Sequence, residues 1–328
     1  MDSITQIVLG IAVAHVCLDT KVGWKKTVAL GAIVATLPDL DIYVAKFFQD
    51  PLTEIEIHRG LSHSILFFVF LSAFISYLIK RFFKEIHFFK LYITVFLILL
   101  THSLLDVFTT WGTQLFWPYN EKFALKSVFV VDVFYTIPLL IFVVLGLKKH
   151  SKKNTYIGLI VSSLYLIWGL IAQNNIKNKA MLDFKNQYNE NVLKTTVKPT
   201  FSNSVLWNVI IETSDGFYLS DRSLFEEQKM KFQYFPRNEA FIQNLADENI
   251  NRLKAITENQ YTITKNEKGL VFNDLRFGLL KNDANDIQFA FSYQLIPTKN
   301  GFKVEEIPKS KRDGVQLLKN IWTRIFNQ

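Results

Sequence analysis

The stretch TYIGLIVSSLYLIWGLIAQNNI, residues 155–176, runs 22 residues without a Lys, Arg, Asp or Glu. At about 1.5 Å of rise per residue, a helix of that length covers the roughly 30 Å hydrocarbon core of a bilayer. Five further stretches free of Lys, Arg and Glu lie upstream, at 3–18, 27–45, 64–79, 91–105 and 127–147, all rich in Ile, Leu, Val and Phe. The reading is an α-helical polytopic membrane domain of about six spans over residues 1–176. Stretches 64–79 and 91–105 are short for a span and need flanking residues at the interface. A soluble helical bundle is the competing reading, but it would have to bury six nearly uncharged segments without lipid. Residues 1–18 do not read as a secretory signal, because Met1, Asp2 and Ser3 supply no basic residue and no small-residue cleavage site follows.

Whole-chain composition hides this division. The 328 residues are 49% hydrophobic and 15% aromatic, with 37 basic and 29 acidic side chains and a net charge of +8. Residues 1–172 hold 15 basic and 11 acidic residues, whereas 173–328 hold 22 and 18. Thirty Phe and a positive mean hydropathy exclude intrinsic disorder. A single cysteine, Cys17, excludes a disulfide scaffold. The positive charge is shared evenly between the two parts and forms no stripe, so no nucleic acid is expected as a partner.

Loop charges set an orientation, since Lys and Arg are retained on the cytoplasmic side. One set of loops holds 11: Lys21, Lys25 and Lys26; Lys80, Arg81, Lys84 and Lys90; Lys148, Lys149, Lys152 and Lys153. The opposite set holds four, Lys46, Arg59, Lys122 and Lys126. Both termini are therefore expected outside the cytoplasm, which makes this a multi-pass protein of a bacterial inner (plasma) membrane. Residues 177–328 form the second expected domain, soluble, extracytoplasmic and α+β, on the periplasmic or extracellular side. Within it, 177–194, 238–258 and 314–326 read as helical. A hairpin is expected over 204–213 and 216–220 around Ser214, Asp215 and Gly216, with more strands at 260–264, 269–277 and 286–295. No phosphate loop, nucleophile elbow or Cys/His zinc spacing occurs in that part, which reads as a binding or scaffold module.

Four polar clusters are not explained by the hydrophobic pattern: Pro38-Asp39-Leu40-Asp41; His58-Arg59-Gly60-Leu61-Ser62-His63-Ser64; His102-Ser103-Leu104-Leu105-Asp106 with the polar run 109–114; and Asp132 with Tyr135 and Thr136. All four fall at the expected outer ends of the spans, where segments distant in sequence can meet. His102 and Asp106, at i and i+4, share a helical face and can present an imidazole and a carboxylate to one metal. His58 and His63 flank a Gly-containing turn and can converge on the same ion, and Asp39 and Asp41 supply oxygen ligands. A mixed His/Asp set suits Zn, Mn or Fe, and an open position on such a site activates water. Arg59 is placed to hold an anionic group such as a phosphate. The blander alternatives are helix caps or ion pairs for the aspartates, and a packed core role for His15.

At these residues the chain resembles the YdjM-like inner-membrane metal-dependent hydrolases. The matching pieces are residues 1–10, Leu37-Pro38-Asp39-Leu40-Asp41, the His58 to Ser64 run, the His102 to Asp106 run, residues 109–114 and Asp132-Val133-Phe134-Tyr135-Thr136, together spanning about 1–145. The resemblance implies a multispanning protein with a hydrolase-like metal site made of Asp39, Asp41, His58, His63, His102 and Asp106. The chain departs from the family pattern at Gln6, where members often carry His, and at His15, where close relatives often carry Glu. A looser similarity to zinc-dependent phospholipase C enzymes implies a phosphoester substrate. The leading expectation is hydrolysis of a phosphoester or lipid-linked substrate by metal-activated water at the outer face. Asp39 or Asp41 then serves as base, Arg59 neutralises developing charge and membrane lipid is the partner. The alternatives are an ion-coupled transporter, or a membrane scaffold or sensor that uses the outer domain.

Overall fold

A computed structural model describes residues 1–18, 22–48, 50–243, 247–283, 286–299, 301–308 and 322–326. The chain divides into two compact units. The first comprises Met1–Phe47, Ile57–Ile171 and Phe201–Ser204, and the second Phe48–Glu56, Ala172–Thr200 and Val205–Gln328.

The first unit is helical: α1 (Ser3–Cys17), α2 (Trp24–Thr36), α3 (Asp41–Ala45), α5 (Ile65–Ile79), α6 (Phe88–Val107), α7 (Val133–Lys148) and the first part of α8 (Lys152–Gln187). The short α4 (Pro51–Ile57) lies almost wholly in the second unit. Helix starts follow from their caps. Asp2 accepts the amides of Ile4 and Thr5, both at 3.1 Å, Ser64 accepts that of Phe67 and Asp132 that of Phe134. Leu37 caps α2 after its last residue, Thr36, Pro38 comes next, and a 3-10 turn at Pro38–Leu40 takes over where the ring would disrupt the α-helical ladder.

Helix α1 is the centre of this unit, packed on α2, α6 and α7. A Cβ on Gly10 would stand 2.5 Å from both Ala35 Cβ and the Gly31 carbonyl, so α1 and α2 touch at a pair of glycines. Val8, Leu9, Ala12 and Val13 join Val95, Ile98 and Leu99 of α6 and Leu139 and Val143 of α7 in one apolar core. The outward faces are apolar too: Phe70, Phe74, Ile137, Ile141, Ile160, Leu164 and Ile171 are all exposed. Side chains of this kind on the outside, with Ser72, Ser76 and Ser103 buried inside, are what a lipid solvent requires.

All six oily stretches fall on helices, but six full spans are not what results. Among the described residues, three helices are long and apolar enough to cross a bilayer, namely Ile65–Phe82, α6 and α8. A fourth is counted if α2 and Pro38–Phe48, bent by 43° at the break, make one span. The apolar helices α1 and α7 have 15 and 16 residues, so each rises only about 22–24 Å. The first stretch gives only the 15 residues of α1, and two local features shorten the second and fifth. Proline breaks the second stretch, and residues 127–132 approach α7 without being helical.

The second unit contains two four-stranded antiparallel meanders. One has the order β1 (Lys194–Pro199), β2 (Leu206–Glu212), β3 (Gly216–Ser223), β4 (Gln233–Pro236), and the other β5 (Tyr261–Asn266), β6 (Gly269–Asp283), β7 (Asp286–Thr298), β8 (Gly301–Glu306). The hairpin expected around Ser214-Asp215-Gly216 is β2–β3, with Val209 opposite Ser220. Ala172, Ile176, Ala180 and Phe184 recur every four residues along α8 and cover Trp207, Val209 and Ile211 on one face of β2. Ile210, on the opposite face of β2, meets Leu219, Phe235 and Leu275. The second meander packs Ile263, Phe272, Tyr293 and Leu295 against Ile250 and Leu253 of α9 (Glu248–Ile256), and Leu52 of α4 joins this core. Of the helix expected over 314–326, only 322–326 lie among the described residues, and these are helical.

Candidate metal centre

Three chain segments of the first unit bring four side chains together. The last turns of α6 carry His102 and Asp106, the 3-10 turn after α2 carries Asp39, and a second 3-10 turn at Leu61–His63 carries His63 just before the Ser64 cap of α5. One ligand atom from each lies within 4.8 Å of all the others. The Nε2 atoms of His63 and His102 are 3.3 Å apart. Asp39 Oδ1 stands 3.4 and 3.5 Å from them, and Asp106 Oδ2 stands 3.6 and 3.7 Å away. A tetrahedral ion with bonds of about 2.0–2.1 Å needs ligand atoms about 3.3–3.4 Å apart, close to these spacings.

The hydrogen bonds around the group turn its lone pairs inward. His102 Nδ1 lies 2.8 Å from the Ala35 carbonyl, which can only accept, so Nδ1 carries the proton and Nε2 is left with its lone pair. Ser62 Oγ donates to Asp41 Oδ2 at 2.5 Å and accepts from His63 Nδ1 at 2.9 Å. That leaves His63 Nε2 for the cluster, through a carboxylate–hydroxyl–imidazole relay of the kind that orients metal-bound histidines. Asp106 Oδ2 is buried and has no hydrogen-bond donor. Two imidazole lone pairs and two carboxylates facing one another repel unless a cation or proton lies between them. Burial opposes charge on His63, but the Asp39, Asp41 and Asp106 carboxylates outweigh it and hold its pKa above the ordinary histidine value. The donor set and the spacing therefore fit a divalent cation.

Asp41 and His58 make a pair one layer further out. Asp41 Oδ1 lies 2.8 Å from His58 Nδ1, and its Oδ2 accepts the Arg59 amide at 3.1 Å besides the Ser62 hydroxyl. Arg59 is buried, with φ at +64°, a left-handed backbone that a side chain adopts only when its surroundings hold it there. Its Nε stands 3.3 Å from Asp106 Oδ2 and its Nη1 donates to Thr109 Oγ1 at 2.8 Å, while its carbonyl accepts the Gln114 amide. Gly60 follows. A Cβ there would stand 3.0 Å from the Ile57 carbonyl and 3.1 Å from Gln114 Oε1, so the turn that carries His58 and His63 is tightly packed at this position.

The fourth polar cluster stands apart from this centre. Asp132 caps α7 and accepts the Tyr165 hydroxyl at 3.0 and 2.9 Å, a structural role. His15 bonds Thr155 Oγ1 at 2.7 Å within the helical packing. Gln6, whose role sequence left open, lies against the cluster. Its Nε2 donates to Asp106 Oδ1 at 3.1 Å and to the His102 carbonyl at 3.2 Å, and the Met1 amine also lies against Asp106 Oδ1. A lone amide in an oily helix was the available signal. Nothing in the sequence marks the Ala35 carbonyl.

A family model described as YdjM inner membrane protein matches residues 1–176. A curated protein of Bacillus subtilis (strain 168), named as the uncharacterized protein YfhP, is 28% identical in an alignment of 227 residues that covers 67% of this chain and 67% of that protein. No solved structure matches.

Proposed function

This chain belongs to the YdjM inner membrane protein family, and on that premise we propose that it is a membrane-bound metal-dependent hydrolase acting on a phosphoester or lipid-linked substrate. The observation that carries this reading is the group Asp39, His63, His102 and Asp106, with its lone pairs turned inward by Ala35, Ser62 and Asp41. These four residues would hold a divalent ion such as Zn, Mn or Fe. Such an ion supplies Lewis acidity and an acidified water at neutral pH.

The remaining residues divide the work among themselves. Asp41 holds Nδ1 of His58, so that Nε2 is the atom of this ring that takes or delivers a proton. Arg59 fixes Asp106 and brings positive charge to the site, where an anionic substrate develops charge. Asp39 is 21% exposed while the side chains of His63, His102 and Asp106 are at most 1% exposed, so a substrate approaches beside Asp39. Its neighbours Leu40 and Tyr43 are exposed and apolar, which favours an amphiphile drawn from the membrane. The test is metal content and metal-dependent hydrolysis of an aryl phosphodiester by the purified protein in detergent. One equivalent of ion and chelator-sensitive turnover are expected, and a protein that takes up no ion overturns the proposal.

A second reading, an ion-coupled carrier, draws on the break after α2, because interrupted helices hold ions in many carriers. Ion flux into proteoliposomes without any hydrolysis would favour it.

The same proposal has the second unit outside the cytoplasm, on the strength of the 11 to 4 asymmetry in loop Lys and Arg. Reporters fused after Asn178 and Gln328 are expected to act on the non-cytoplasmic side, and one after Lys149 in the cytoplasm. Cytoplasmic activity at Gln328 would overturn this placement and make one of the expected spans re-entrant or absent.

A further inference from the structure

Between the end of α6 at Val107 and the start of α7 at Val133, the helical unit contains a small hairpin. Thr113 and Phe123 exchange both backbone hydrogen bonds, each at 3.0 Å, and Gln114 Nε2 donates to the Asn120 carbonyl at 3.1 Å. Gly112 enters the hairpin at a φ of +71°, and a Cβ there would stand 3.0 Å from the Phe123 carbonyl oxygen. The tip carries Phe116, Trp117 and Tyr119, all exposed, and Phe123 is exposed beside them with its ring 5.5 Å from that of Phe116. Asn120, Glu121 and Lys122, on the return, are exposed as well. The base is tied to the turn that carries His58 and His63. Gln114 donates its amide to the Arg59 carbonyl at 2.9 Å, Lys122 Nζ donates to the His58 carbonyl at 3.0 Å, and the Leu115 carbonyl accepts the Ile65 amide at 3.0 Å.

We propose that the tip of this hairpin docks into the headgroup layer of the bilayer and sets the mouth of the metal centre at that depth, so that the group hydrolysed is a phosphodiester in a lipid headgroup. The second half rests on the hydrolase reading above. The hairpin is bracketed by two helices long enough to cross a bilayer: it follows the end of α6, and its base is bonded to Ile65 at the start of α5. The end of one and the start of the other share a membrane surface, and the hairpin lies there. His63 just before α5 and Asp106 in the last turn of α6 place the metal centre at the same level. Apolar ring surface left in water costs about 25 cal/mol per Å². Rings with a polar end, such as those of Trp117 and Tyr119, avoid that cost in the headgroup layer, where each end meets its own solvent. The occupant is lipid because the hairpin continues from α5 and α6, and Phe70 and Phe74 on α5 are exposed and apolar like the tip. Its mixture of rings with Asn120, Glu121 and Lys122 also differs from the core of a protein interface, where charged residues are depleted.

The full-length protein in nanodiscs of phosphatidylethanolamine and phosphatidylglycerol carries the test. The probe is Trp117, read as the emission of wild type minus that of Trp117→Phe. Lipids brominated beside the headgroup are expected to quench most of that emission, whereas lipids brominated near the methyl end and aqueous iodide quench little. Should Trp117→Phe fail to fold, an environment-sensitive dye on Tyr119→Cys in a Cys17→Ser background reads the same depth, since Tyr119 is exposed. Emission quenched best from the methyl end, or open to iodide and untouched by either lipid, would overturn the docking. For the substrate, the pair Phe116→Ser with Tyr119→Ser is expected to raise KM several-fold more for a phospholipid in the same bilayers than for a soluble aryl phosphodiester. An equal change for the two, or none, would overturn the loading role. If wild type hydrolyses neither, the hydrolase reading fails separately. Quenching then decides the docking alone, loss of emission with the headgroup-brominated lipid supporting it and full emission overturning it.

Discussion

Replacing His102 with Ala is expected to abolish stoichiometric metal binding. Its Nε2 is one of the four atoms that would hold the ion and stands at 3.3 to 3.7 Å from the other three. Losing a direct ligand costs more than the roughly 10–100-fold in affinity that an outer-shell partner contributes. Deleting the ring also leaves the buried Ala35 carbonyl without its donor, at about 1–3 kcal/mol. Two measurements on the same samples separate the effects: metal content by mass spectrometry, and the melting temperature with and without chelator. Wild type should lose stability on chelation, because withdrawing the cation leaves carboxylates and imidazole lone pairs facing one another. The His102→Ala protein should start lower and not respond to chelator. Asp41→Asn is the graded comparison. It touches His63 only through Ser62 and its own 3.5 Å approach to Nδ1, so metal should be held more weakly but still be held. Equal, near-zero metal in wild type and His102→Ala would sink the metal centre and leave the scaffold reading.

Arg59→Ala has the second largest expected effect, on stability and metal retention together. The guanidinium is buried against Asp106 and Thr109, and Asp106 is itself completely buried. Removing one partner of a buried pair costs about 3–5 kcal/mol where the remaining charge has no other partner, and the Met1 amine and Gln6 on Asp106 Oδ1 lower that figure here. Arg59→Lys should restore the charge but not the two-sided contact, because an ammonium lacks the planar fork that reaches both Asp106 and Thr109. Arg59→Gly isolates the backbone contribution, since glycine adopts the left-handed conformation at position 59 without steric cost. If Arg59 instead works mainly as an anion clamp, Arg59→Ala keeps its metal and melting temperature and loses only hydrolysis of the aryl phosphodiester. Full activity in Arg59→Ala would take the residue out of the site altogether.

Several features of the fold were legible because they depend on local pattern. Apolar stretches free of Lys, Arg and Glu marked every membrane-type helix among the described residues, and Ser214-Asp215-Gly216 marked the β2–β3 hairpin. Strands β1, β4 and β8 escaped. β1, Lys194–Pro199, mixes Lys and Thr with a terminal proline, and β4 has only four residues, too few for an alternating pattern to register. The count of six was not confirmed, in part because a stretch of apolar residues can be longer than the helix within it, as at residues 127–132 before α7.

For the site, sequence by itself determined which side chains were available and part of their geometry. His102 and Asp106 share a helical face because they are four residues apart, and Asp39, Asp41, His58 and His63 stand out because polar residues beside oily segments require a reason. Only the tertiary structure decided how six candidates divide. Asp39 and His63 join His102 and Asp106, whereas Asp41 and His58 turn to each other and to Ser62. It also decided that α1 lies at the centre of the helical unit, through the contact of Gly10 with Gly31, and that a strap of nine residues between Asp41 and His58 folds with the second unit. The physical reason is the range of the interactions. Periodicity and capping act within a few residues and leave their mark in the chain, while the partner of a carboxylate or the neighbour of a glycine comes from a segment tens of residues away, and that choice exists only once the helices have packed.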